Sequence, residues 1–326
     1  MFSLGILSMA AAPSEGQKKG LILELINAGA TPLNRAVHMR SKKTAICIAT
    51  LPYPTVSVLH PPHGVPLMKL DIYQVDAFSQ HVFGGNAAAV CPLAEWLPTE
   101  QLQRIAAENN LSETAFFVRR GDVYELRWFT PEVEVDLCGH ATLAAAWVLI
   151  HKLADAPQVL RFATRSGELR VTRNGDELAM DFPAKQPERC EPPAGMLAAL
   201  GIEHADVYGT DDYIVLVDDE AQVAALTPDF ARLKGLPKRG IAVTAKSARF
   251  DFVSRWFGPN VGINEDPVTG SAHTSLTPFW AERLGKSYLT AEQGGQRRGQ
   301  LRCELKGDRV IISGHAVLYL QGTIYL

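Results

Sequence analysis

Three short stretches of this chain hold residues whose types and spacing could do chemistry. The first is Ser112-Glu113, flanked by Leu111, Ala115, Phe116 and Phe117. A carboxylate beside so much apolar surface should have its pKa raised by desolvation, as a general acid/base near neutrality requires. Its bland alternative is a solvated Glu at a strand end. The second is Cys138-Gly139-His140, which precedes the nearly charge-free, alanine-rich run Ala141 to Ile150. Glycine permits a sharp turn there. A helix N-terminus should push His140 toward its neutral form and lower the pKa of Cys138. A small buried Cys and a core His are the alternative. The third is Glu265-Asp266-Pro267-Val268-Thr269-Gly270-Ser271. Here Gly270 and Ser271 can offer backbone N–H groups to a carboxylate or enolate, unless Asp266 or Ser271 merely caps the helix that follows.

The elements that must hold these groups show an internal repeat. Gly167-Glu168-Leu169-Arg170-Val171 returns 132 residues later as Gly299-Gln300-Leu301-Arg302-Cys303, and Gly175-Asp176 as Gly307-Asp308. The same shift lays Cys138-Gly139-His140 on Gly270-Ser271-Ala272. Arg127-Trp128-Phe129 is echoed by Arg255-Trp256-Phe257, four residues out of step. Each copy is expected to centre on one buried helix, the first from Ala141 to Ile150 and the second from His273 to Leu284. Alternation from Leu70 predicts a strand, and Phe83-Gly84-Gly85-Asn86 a turn whose glycines and Asn tolerate positive φ. A helix follows from Pro98 to about Asn109, with Thr99 as its cap. Asn174-Gly175 signals a hairpin. Pro259 to Ser271 reads as one long turn. Helices among many strands, in two copies, give an α+β architecture. The prolines at 183, 187, 192 and 193 place a domain boundary near residue 185, giving an N-terminal domain 68–185, to which the last strand (316–326) can return, and a C-terminal domain 186–315. Residues 1–67 are unlike the rest and read as a leader outside the fold, a targeting segment being the lesser alternative.

With 326 residues, 47% of them hydrophobic and 21% charged, the chain can bury substantial cores. A net charge of −3 without a basic stripe argues against a nucleic-acid partner. No apolar run of about 18 residues predicts a membrane-spanning helix. Five scattered cysteines (Cys47, Cys91, Cys138, Cys190, Cys303) suit a reducing cytoplasm and lack metal-ligand spacing. No phosphate loop, dinucleotide fingerprint or nucleophile elbow is present, so neither cofactor nor metal is expected.

The segments MKLDIYQVDAF, GGNAAAVCPL, LSETAFFV, DLCGHATLAAAWVL and EDPVTGSAHTSL together resemble the PhzF-like (phenazine biosynthesis-like) isomerases, over about residues 68–326. That resemblance implies a diaminopimelate-epimerase-like fold: two similar domains, each a β-barrel-like sheet wrapped around a central helix, with the active site between them. It also implies cofactor-independent proton transfer on a small carboxylate-bearing molecule, usually in a homodimer. By the same resemblance Glu113 is the acid/base, with His140 and Asp266 as polar partners. Gly139, Gly270 and Ser271 are ligands of the substrate carboxylate, with Ser112 beside the base. Cys138 departs from the phenazine enzymes and points to the broader branch of the family. Related epimerases and proline racemases oppose two cysteines; here the repeat sets Gly270 against Cys138, which disfavours two-thiol racemisation. Two other readings stay open: a racemase using Cys138 with a non-thiol base, and a catalytically idle binding protein.

Overall fold

The computed structural model describes residues 68–153 and 157–326, and upstream only the backbone of two short strands, Met39–Ser41 and Thr44–Ile46, which pair antiparallel. The leader expected over 1–67 otherwise lies outside the described residues. Residues Met1–Val65 and Pro66–Leu326 form separate units.

The second unit has an α+β architecture: two similar domains, each a sheet wrapped around one buried helix. In the first, strands Asn86–Leu93 and Glu113–Arg120 run parallel, joined through helix Thr99–Asn109. Val123–Phe129 pairs antiparallel with Glu113–Arg120 and parallel with Val159–Thr164, the crossover being the first central helix, Gly139–Lys152. The second domain repeats this plan. Tyr213–Leu216 and Ile241–Lys246 are parallel, Phe252–Gly258 pairs antiparallel with the latter and parallel with Tyr288–Gln293, and the crossover is the second central helix, Gly270–Leu284. One ladder joins the two sheets, Glu177–Pro183 with Arg309–Gly314. Strand Ala316–Tyr325 returns to pair with Lys69–Ala77.

The first central helix buries ten residues from Gly139 to Leu149, because alanines at 141 and 144–146 let strands approach it from most sides. The second is larger-sided, with Leu276, Phe279 and Trp280 buried. It also contains Pro278, whose missing N–H leaves the carbonyl of Thr274 without its helical donor. Lys185 fills that gap, its N–H reaching Thr274 O at 3.0 Å.

Several expected details are corrected. Both central helices begin earlier than their apolar runs, at Gly139 and Gly270, since the polar heads are helical too. Thr99 does not cap its helix; Pro98 is the N-cap residue, and the Thr99 hydroxyl accepts from Arg127 instead, at 3.0 Å. In the loop before Asn86, positive φ falls on Phe83 and Gly85, and Asn86 already begins a strand. The long turn from Pro259 is interrupted by strand Ile263–Asp266, which pairs with Phe252–Gly258 through an irregular register.

Candidate active site

The heads of the two central helices meet. A Cβ added to Gly139 would lie 3.4 Å from the Cα of Gly270, and one added to Gly270 would lie 3.5 Å from the Cα of Gly139. The N-cap residues are Cys138 and Thr269, and neither uses its side chain as a cap. Counted from the helix starts, Cys138 therefore matches Thr269, Gly139 matches Gly270 and His140 matches Ser271. The 132-residue shift that aligns the strands is one residue too long for the helix heads. The position opposite Cys138 is a threonine, still not a thiol. The capping role left open for Asp266 and Ser271 is set aside by the same geometry.

Around this junction the structure brings together Glu113, His140, Cys138 and Asp266. Glu113 opens its strand and is 7% exposed; His140 is 3% and Asp266 6% exposed. His140 Nε2 lies 3.1 Å from Glu113 Oε2. The two atoms are not aligned for a hydrogen bond, and each lacks another protein partner. Glu113 is thus not the lone carboxylate that its apolar neighbours suggested. On the other side of the ring, Asn86 Nδ2 is 3.1 Å and Cys138 Sγ 3.5 Å from His140 Nδ1. Whenever the ring is neutral, the Cys138 thiol can donate to the one lone pair of Nδ1, with the ring proton then on Nε2, facing Glu113. The two N–H groups of Asn86 are used by Asp266 Oδ1 at 2.6 Å and Val268 O at 3.1 Å, tying the first domain to the second.

Asp266 receives Thr269 Oγ1 at 2.7 Å on its other oxygen. Gln293, fully buried, donates to Asp266 O and Thr269 Oγ1 and accepts from Thr269 N. The neighbouring Glu265 points elsewhere, as strand alternation requires: Arg255 grips both its oxygens at 2.7 Å. Ser271 Oγ accepts from Arg239 Nη1 at 2.8 Å, and Ser112 is half-buried beside Glu113. Nothing in the sequence alone marks Gln293 or Arg239, and Thr269 carries a signal only through its place in the EDPVTGSAHTSL segment. Asn86 carried a signal only through its place in the GGNAAAV segment.

Electrostatics at the junction reverse two expectations. Burial pushes the Cys138 thiol up to about 11, and the Glu113 carboxylate adds to it, so desolvation overrides the helix N-terminus. Burial alone would depress His140, but Cys138 and Glu113 outweigh it and hold the imidazole well above its ordinary value. Burial raises Asp266 to about 6, against the opposing pull of His140. Ligand atoms of Glu113, Cys138 and His140 fall within 4.8 Å of one another. Because sulfur and carboxylate approach opposite ring nitrogens, whose lone pairs diverge, one ion would not be shared by all three. Among the described residues no helix is long and apolar enough to cross a membrane.

The model of the family described as "Phenazine biosynthesis-like protein" matches residues 75–322. An "uncharacterized isomerase" of Pseudomonas aeruginosa is 71% identical over 259 residues, covering 79% of this chain and all of that one. The crystal structure of a PhzF family protein from Enterococcus faecalis is 49% identical, with a TM-score of 0.77 over 79% of this chain and all of the other. A hydroxyproline epimerase from Agrobacterium vitis, 10% identical with a TM-score of 0.51 over 79% of this chain and 93% of its own, shares the fold alone. The chain is an isomerase-type protein of the diaminopimelate-epimerase-like fold, and it belongs to the phenazine biosynthesis-like protein family.

Proposed function

We propose that the protein is a cofactor-independent isomerase that moves a proton on a small carboxylate-bearing metabolite, in a cleft where the two domains meet. The observation that carries this reading is the buried Glu113–His140 pair, 3.1 Å apart and misaligned, at the junction of two helix heads. Glu113 takes the proton from a substrate carbon and returns it elsewhere on the same face. His140 donates from Nε2 toward the carboxylate and steadies its charge. Asp266, held by Asn86 and Thr269, sits across the junction as the second polar partner. The backbone N–H groups at Gly139, Gly270 and Ser271 receive the substrate's negative charge, because a helix N-terminus gathers unpaired donors.

The neutral, buried Cys138 without an opposed thiol speaks against a two-base racemase, since a thiol held near 11 is a poor base at neutrality. The same proposal includes a boundary near residue 185, a homodimer, and a cytoplasmic setting consistent with the free cysteines at 91, 138, 190 and 303. Deuterium wash-in from heavy water into a panel of small amino, hydroxy and unsaturated acids tests it. Wild-type protein should label at least one acid without stereochemical inversion. Glu113→Gln should lose roughly 10²–10⁴ of that rate and still bind ligand. Labelling that survives Glu113→Gln but disappears in Cys138→Ala would sink the assignment and favour the racemase.

A further inference from the structure

The two domains do not carry the same chemistry at equivalent places. In the first, Ala115 faces Trp128 across the ladder, and Glu113, two residues upstream, reaches the second residue of the helix, His140. In the second, Ala242 faces Trp256, and Arg239, three residues upstream, reaches the second residue of its helix, Ser271, at 2.8 Å. Arg239 thus occupies the position of Ser112, beside the place of the base. One helix head is served by a carboxylate, the other by a guanidinium.

From this we infer that Arg239, working through Ser271, is the residue that makes the site select an anionic, carboxylate-bearing substrate and fixes its orientation, carboxylate toward the second domain and reacting carbon toward Glu113. This rests on the proton-transfer reading above and adds the specificity element to it. Arginine has no acceptor, so Ser271 Oγ must accept from it, and the serine's own proton is left to donate elsewhere. Asp212, 4% exposed, takes Arg239 Nε and Nη2 at 3.0 and 2.6 Å and is itself fixed by Trp256 Nε1 at 3.0 Å. Three of the five guanidinium N–H groups are then used, and one remains on each of Nη1 and Nη2, the terminal nitrogens that grip carboxylates in pairs. The guanidinium lies over the Trp256 ring at 5.2 Å, which fixes its plane. Burial opposes its charge, but Asp212, Asp211 and Asp266 favour it, so Arg239 is also close enough to feel Asp266 across the site. Independently of Arg239, two nine-tenths-buried polar groups, Glu113 and His140, leave Oε2 and Nε2 without partners at the same junction. The site therefore has unmet polar atoms at one end and spare donors at the other.

Benzoate and benzamide, alike in shape and differing in charge, test this on the full chain by calorimetry or ligand-observed NMR. Wild-type protein should bind benzoate at least about 10-fold more tightly than benzamide. Arg239→Gln leaves Asp212 buried and unpaired, so it is made together with Asp212→Asn, which still accepts from Trp256. The pair should weaken benzoate by about 10- to 100-fold, the range for hydrogen bonds to a charged group, with benzamide unchanged. Should that pair not fold, Arg239→Lys and Ser271→Ala carry the test. Lysine cannot pair with Asp212 and reach Ser271 together, so each single variant should lower the benzoate preference about 10-fold. A purely structural role would move both ligands equally. A wild-type protein without preference for benzoate, or folded variants that keep it, overturns the inference. Glu113→Gln should keep the benzoate preference and lose deuterium wash-in, so failure of the anchor and failure of the proton-transfer reading give different results.

Discussion

Two histidines, each buried in the first turn of a central helix, behave in opposite ways. His140 is held well above its ordinary pKa, whereas His273 is driven down from 6.5 to about 4. Burial acts on both and lowers both. His273 has only the Thr269 carbonyl on Nδ1 at 2.9 Å and the Phe252 ring at 5.8 Å, and its Nε2 has no partner. His140 has Glu113 at 3.1 Å. Two neighbours, Cys138 and Glu113, thus separate an imidazole poised to carry charge from one that is packing material, and neither the residue type nor its place in the helix does so.

The largest test removes the carboxylate. In Glu113→Gln, Cys138 alone is left to oppose burial, so NMR titration should find the His140 pKa lower than in the wild type, shifted toward that of His273; an unchanged value would break the comparison. Next in size is the effect of pH on stability. Between pH 6.5 and 4 the unfolded chain protonates His273 and the folded one does not, so stability falls as pH drops through this window, by about 3 kcal/mol in all. Asp266 works in the other direction. Its folded pKa of about 6 exceeds the ordinary 3.8, so the folded state holds a proton that the unfolded chain releases, and stability falls as pH rises from 3.8 to 6. Urea denaturation from pH 4 to 6 should show the two opposing each other: relative to wild type, His273→Gln should tilt the profile toward falling with rising pH, and Asp266→Asn toward rising.

A smaller effect is expected where the two heads touch. Gly139→Val and Gly270→Val place branched side chains against the opposing backbone and should each cost about 1–3 kcal/mol by overpacking, while alanine at either position, at 3.4–3.5 Å from its neighbour, should be close to neutral. Thermal melts of the four variants decide this. The smallest effect should come from Cys138→Ala, which removes one donor from His140 Nδ1 and leaves Glu113 untouched. Its deuterium wash-in should stay within about 10-fold of wild type, well short of the loss expected from a catalytic acid/base.

The residues legible in the sequence were those whose neighbours along the chain advertised them. Glu113 stood out against Leu111, Phe116 and Phe117, and His140 and Asp266 came with glycine turns and a proline. Gln293 and Arg239 reach the same junction from strands and loops far away in sequence, and no local pattern marks them. The duplication was visible, but its register was not uniform: strands Gly167–Asn174 and Gly299–Lys306 keep a spacing of 132, while the helix starts at 139 and 270 do not. Strand Ile263–Asp266 was hidden by glycine, asparagine and proline on both sides. The thiol of Cys138 was misjudged because the helix N-terminus is visible in a sequence and the depth of burial is not.

The ladder between Lys69–Ala77 and Ala316–Tyr325 joins positions 239 to 256 residues apart. The first domain's sheet therefore gains one of its strands from chain that comes after the entire second domain. As the polypeptide emerges from the ribosome, the domain bearing Glu113 and His140 must wait with an open sheet edge while the domain bearing Asp266 and Arg239 is made. Closing so distant a pair comes late and at the cost of a long loop. Glu113 is thus translated well before the strand that seals its own domain's sheet.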